Sequence, residues 1–137
     1  MFCSASRRHD WASFVAWIDN PGLENPRLLG VSVSKTATKC DTETQVPEYM
    51  FAGYQRRGMR SEVSNTSVRA YYSNEALLGP AFLTLDGRLD GEYQDLIMWE
   101  QLPNEARAAL TDDNFDDSRI LFNDENFDQS LSKAWPF

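Results

Sequence analysis

The sequence predicts an α+β domain built on an antiparallel sheet, and three observations carry that expectation. A period of two runs through residues 28–36, apolar residues recur at helical spacing nearer both ends, and strand-like segments precede helix-like ones without βαβ alternation. The 137 residues are 42% hydrophobic and 12% aromatic, enough to bury a core as one compact domain over residues 1–137. About four to five strands, mostly within residues 28–85, are expected to pack against helices at about 11–19, 90–102 and 103–110.

The elements follow in order. Trp11, Phe14, Val15 and Ile18 fall at i, i+3, i+4 and i+7, with Asp10 placed to cap and Asn20-Pro21-Gly22 placed to stop, so the spacing predicts a helix over 11–19. Leu29, Val31 and Val33 alternate with Gly30, Ser32 and Ser34, the pattern of a strand with one wet face. Residues 40–46 extend or repeat that pattern until Pro47. Residues 49–54 and 63–72 read as two antiparallel strands joined near Arg57-Gly58. Phe82, Leu83 and Leu85 make a short strand stopped by Asp86-Gly87. Asp90 caps a helix over 90–102 whose apolar arc is Tyr93, Leu96, Ile97, Met98 and Trp99. Pro103 opens another over 103–110, where its missing N–H costs nothing. Residues 112–137 form an acidic, partly irregular segment. It contains an imperfect repeat, Asp112-Asp113-Asn114-Phe115-Asp116-Asp117 against Asp124-Glu125-Asn126-Phe127-Asp128-Gln129.

Charge patterning locates function more sharply than composition does. The formal net charge is −8, which opposes direct binding to nucleic acid or anionic lipid. Residues 1–69 hold nine bases and seven acids, whereas residues 70–137 hold four and fourteen. Residues 112–129 alone carry seven acids against Arg119.

The common catalytic and metal signatures are missing. His9 is the single histidine, so a Ser or Cys nucleophile has at most one candidate base, and it lies beside Arg7 and Arg8. No phosphate loop or dinucleotide turn occurs. Cys3 and Cys40 have no zinc spacing and read as two reduced thiols. Calcium loops starting at Asp112 or Asp124 fail at position 6 (Asp117, Gln129) and position 12 (Asn123, Trp135). The acids Asp90 and Glu92 suit a helix N-terminus better than glycosidase work. The expectation is therefore a protein with no catalytic residues, no cofactor and no metal. With no apolar stretch behind Arg7-Arg8 and no run near the roughly 20 residues of a membrane span, it is expected in the cytoplasm.

Carboxylates displayed in a row resemble phosphates and fit the basic groove of a nucleic-acid-handling protein, with aromatic residues as anchors. Asp112, Asp113, Asp116, Asp117, Asp124, Glu125 and Asp128, with Phe115 and Phe127, are the expected partner-binding residues. Arg56, Arg57, Arg60 and Arg69 form a secondary basic patch. In size, acidity and lack of a catalytic signature the chain is similar to phage-borne inhibitors of bacterial defence, including anti-CRISPRs, and to immunity proteins that neutralise nuclease toxins. That resemblance implies a non-enzymatic inhibitor that engages a basic protein. Two other classes compete with it. One is a small enzyme or ligand-binding domain with a pocket near Tyr49, Tyr54, Tyr71, Tyr72 and Trp99; the other is an assembly subunit that associates through Trp135 and Phe137.

Overall fold

A computed structural model describes residues 11–36, 39–54, 63–73, 82–87, 95–112 and 120–137. It is α+β, as the sequence predicts. Among the described residues, five strands, β1 (Phe14–Ile18), β2 (Leu28–Thr36), β3 (Lys39–Glu43), β4 (Ala70–Ser73) and β5 (Phe82–Leu85), precede helices α1 (Asn104–Asp112) and α2 (Phe127–Ala134). Two antiparallel sheets result, one ordered β1-β2-β3 and one pairing β4 with β5. The strand expected at 28–36, the short strand at 82–85 and the helix at 103–110 are all present, the last shifted to begin at Asn104.

The expected helix over 11–19 is a strand. Phe14-Val15-Ala16-Trp17-Ile18 pairs antiparallel with β2, placing Phe14 opposite Val33 and Trp17 opposite Gly30. A short run that is apolar on nearly every position satisfies both periods, and its β-branched and aromatic content favours the sheet once a partner strand is available. Asp19 and Asn20 organise the connection that follows. The Asp19 carboxylate accepts from the Asn20 and Arg27 amides at 2.7 and 2.8 Å, and Asn20 Oδ1 accepts from the Gly22 amide at 2.9 Å.

The expected helix over 90–102 is corrected in the same way where it can be followed. Residues 90–94 lie outside the described residues, Asp95–Met98 is irregular, and only Trp99–Gln101 forms a single 3₁₀ turn. Leu96 is 92% exposed, Ile97 69% and Met98 61%, so these three members of the expected apolar arc stay open, whereas Trp99 is half-buried. The turn near Arg57-Gly58 also lies outside them, although the flanking segments do meet at an antiparallel bridge between Phe51 and Val68.

The core gathers around β2. Val31 and Val33 are buried on one face, joined in the core by Ala52, Ile120 and Ala134. The other face, Gly30-Ser32-Ser34, is not the wet face that its alternation implies. Helix α2 packs over it, with Ser32 bonded to the Ala134 carbonyl and only 1% exposed. Small side chains there let a helix approach the sheet closely. At Gly30 an added Cβ would lie 3.3 Å from the Glu43 carbonyl, a tight approach to backbone, and 3.4 Å from Phe137 Cζ, an ordinary contact.

Candidate functional site

The most developed site among the described residues is the cleft where α2 meets the β1-β2-β3 sheet. Ser32 ties three elements together at its edge. Trp17 Nε1 donates to Ser32 Oγ at 3.0 Å, and Ser32 Oγ in turn donates to the Ala134 carbonyl. One hydroxyl therefore satisfies an indole donor from β1 and the last residue of α2, whose carbonyl has no partner within its own helix. Trp17 meets Trp135 edge to face at 4.8 Å, and Trp135 meets Phe137 at 5.3 Å. The quadrupoles of the rings favour that geometry and fix the chain end over Gly30.

The entry to α2 is fixed by two buried amides. Asn123 and Asn126 are 3% and 8% exposed, and Asn126 Nδ2 donates to Asn123 Oδ1 at 2.8 Å. The Phe127 amide donates to the Asn123 carbonyl at 3.0 Å, so the turn is hydrogen-bonded from within before the helix starts. The acidic repeat has two sides here: asparagines point in, while Asp124, Glu125 and Asp128 stay exposed. Acids at this end also complement the positive helix N-terminus.

Between the sheet and α2 lies a cavity of about 120 Å³. Phe14, Leu121, Phe127 and Leu131 give it an apolar wall, and Lys39 and Lys133 line it from β3 and from the last turn of α2. Cys40 is a free thiol on the same wall. Burial pushes that thiol above its usual range, Asp41 reinforces the shift, and Lys133 opposes it. It is therefore protonated near neutrality and is a poor nucleophile.

A second aromatic cluster joins distant segments. Phe122 meets Trp11 at 5.8 Å and Trp99 at 5.9 Å, both edge to face. Trp99, expected in a tyrosine-lined pocket, is thus committed to Phe122. Of the tyrosines named with it, Tyr49 and Tyr72 are exposed while Tyr54 and Tyr71 are half-buried.

The structure gathers only part of the sequence-derived binding set. Asp124, Glu125, Phe127 and Asp128 share the start of α2; Asp112 ends α1; Asp113, Phe115, Asp116 and Asp117 lie outside the described residues. Arg56, Arg57 and Arg60 also lie outside them. Arg69 is half-buried and spends its guanidinium on the Tyr54 and Tyr49 carbonyls at 2.9 and 3.3 Å. Among the described residues no cluster of three or more His, Cys, Asp or Glu side chains is arranged to hold a metal. Ser32, Cys40, Lys39, Lys133 and Asn126 were not legible as site residues. The spacing of Phe127, Leu131 and Ala134 at i, i+4 and i+7 was the available signal for α2.

Residues 1–134 match the family model described as necrosis inducing protein (NPP1). The chain is 38% identical over 164 residues to "NLP effector protein Pc109174" of Phytophthora capsici, an alignment that covers 97% of this chain and 58% of that protein. It is 40% identical to "NLP effector protein 6" of Plasmopara viticola, covering 95% of this chain and 48% of the relative. With "NLP effector protein 14" of Phytophthora capsici it shares 37% identity over 95% of this chain and 86% of the relative. Against several of these relatives the chain thus spans a little over half their length or less. In structure it resembles the crystal structure of the non-toxic HaNLP3 protein, with a TM-score of 0.75, 32% identity, and coverage of 95% of this chain and 54% of that one.

These similarities overturn two expectations. Necrosis-inducing and effector proteins take the place of the inhibitor of a nucleic-acid-handling protein, in both its anti-CRISPR and its toxin-immunity forms. The cytoplasmic expectation falls to the same finding, because proteins so described act beyond the cell that makes them. A small acidic chain without catalytic motifs is compatible with many binding roles, and charge alone pointed to the wrong one.

Proposed function

The chain belongs to the necrosis-inducing protein (NPP1) family, and from that premise we propose that it is an extracellular effector that engages host tissue by binding rather than by catalysis. The match over residues 1–134 carries the reading. The fold supports it: a sheet clamped by α2 through the Ser32 relay and the Trp17–Trp135 contact presents loops on a fixed frame, as binding surfaces require. Family membership and toxicity are separable, since a non-toxic protein of this kind has the same fold at a TM-score of 0.75.

The test applies purified, fluorescently labelled chain to host tissue, with a heat-unfolded sample as control, and measures retained label and electrolyte leakage. Retention with leakage identifies a necrosis-inducing effector. Retention without leakage identifies a non-toxic one. Folded chain that washes out as freely as the control overturns the reading.

A further inference from the structure

We propose that the cavity between the β1-β2-β3 sheet and α2 is a binding site for a compact aromatic carboxylate, its ring on the apolar wall and its carboxylate between Lys39 and Lys133. This ligand site goes beyond the effector reading and does not depend on it.

Size sets the first limit. The cavity is about 120 Å³, and an apolar protein cavity of roughly 150 Å³ is known to take up benzene while staying free of water. The cleft is also open on the side of the exposed Lys39, Phe127 and Lys133, so a single ring can rest on the apolar wall with its polar substituent toward solvent and the lysines. Phe14, Phe127 and Leu131 provide the apolar contacts such a ring needs.

Charge sets the second. Among the described residues, the other basic side chains are already engaged. Arg27 lies 3.5 Å from Asp19, Lys35 reaches Asp41 at 2.5 Å, Arg69 holds two carbonyls, and Arg107 bonds Asn104 Oδ1 at 2.5 Å. Lys39 and Lys133 alone have no hydrogen bond or ion pair there, in a chain with 21 acids and 13 bases. The helix dipole accounts for a cation in the last turn of α2. It does not account for Lys39, which comes from β3 to the same cavity, nor for the apolar wall behind the pair. Ser34 adds a donor: its Oγ accepts from the Ser13 amide at 2.8 Å, and its own proton has no acceptor among the described residues. Two cations and a hydroxyl around an apolar slot are complementary to a carboxylate on a ring.

Benzoate is the probe, with benzyl alcohol as its neutral counterpart, both titrated by protein-observed NMR against the full chain carrying Cys3→Ser. Benzoate is expected to bind with a dissociation constant on the order of 0.1 to 1 mM, about tenfold tighter than benzyl alcohol. The Lys39→Gln/Lys133→Gln double variant should bring benzoate down to the level of the alcohol while leaving the alcohol unchanged. Both lysines are exposed, so folding is not at stake, and circular dichroism of the variant checks it. Cys40 supplies a local readout: saturating benzoate should slow its alkylation by iodoacetamide about fivefold or more in the parent and not in the double variant. Absence of benzoate binding, equal affinity in parent and double variant, or binding without protection of Cys40 overturns the proposal. Host-tissue retention is measured separately, so a chain that is retained there but ignores benzoate loses only this site.

Discussion

The two sheets of this protein are built from similar residues and are held very differently. In the β1-β2-β3 sheet, Val31, Ser32 and Val33 are consecutive and all buried, so both faces of the central strand are covered. In the β4-β5 ladder, among residues with described side chains, Tyr71, Leu83 and Leu85 are half-buried and Ala70, Tyr72 and Thr84 exposed. A two-stranded ladder is marginal alone; this one is braced by the packing of β5 against β2 and by Arg69 on the neighbouring carbonyls. The difference teaches that coverage of the second face sets local stability, more than strand content does. Native-state hydrogen exchange should accordingly open β4-β5 at lower free energy than β2.

The largest expected effect breaks the comparison at its strong end. Val31→Ala removes two methyl groups from a site with no exposure and should cost about 2 kcal/mol in denaturant unfolding, whereas Leu83→Ala in the half-covered ladder should cost about 1 kcal/mol. Equal losses would mean that the two sheets are covered alike. A similar loss, again about 2 kcal/mol, is expected for Ser32→Ala, which strands the Trp17 indole N–H and the Ala134 carbonyl together. Trp17→Phe keeps a ring and leaves Ser32 bonded to α2, so its cost should be nearer 1 kcal/mol. If Trp17→Phe proves the more damaging of the two, the relay is not what fastens the helix.

Trp135→Ala sharpens the comparison from the chain end. The ring loses edge-to-face contacts at 4.8 and 5.3 Å, yet it is 56% exposed, so about 1 kcal/mol is expected. Hydrogen exchange should show the loss concentrated in α2 and β2, with β4-β5 unchanged.

How much of this was legible depended on whether a local pattern had one reading. The alternation in residues 28–36 fixed β2, because only a strand spaces Leu29, Val31 and Val33 that way. The same run misled about its serine face: small polar residues read as solvent-facing, and no local signal says that a helix about 100 residues later covers Ser32. Phe14 to Ile18 was ambiguous in period and was decided by a partner strand. Residues 124–128 read as a display of acids, although the buried Asn123 just before them and Asn126 among them anchor α2. Lys39 and Lys133 are 94 positions apart in sequence, and the cavity that joins them exists only after the sheet and α2 meet.

The smallest effect lies in the turn that joins β1 to β2, and it asks whether the strength of the first sheet extends to its loops. Backbone hydrogen bonds from Arg27 and Asn20, helped by the Arg27 guanidinium, hold the Asp19 carboxyl below the usual carboxylate range. A lowered value in the folded state means that the ionised form is the one the fold prefers. Its contribution is therefore present above the ordinary carboxylate value and disappears as pH falls through the lowered one. Unfolding midpoints measured from neutral to strongly acid solution should fall more steeply in the parent than in Asp19→Asn, with the two curves converging at the acid end. Arg27 is exposed, so screening keeps the gap small, and added salt should narrow the part due to Arg27 while leaving the amide bonds. Parallel curves across the whole range would show that the turn is held by hydrogen-bond geometry alone, with the charge on Asp19 adding nothing.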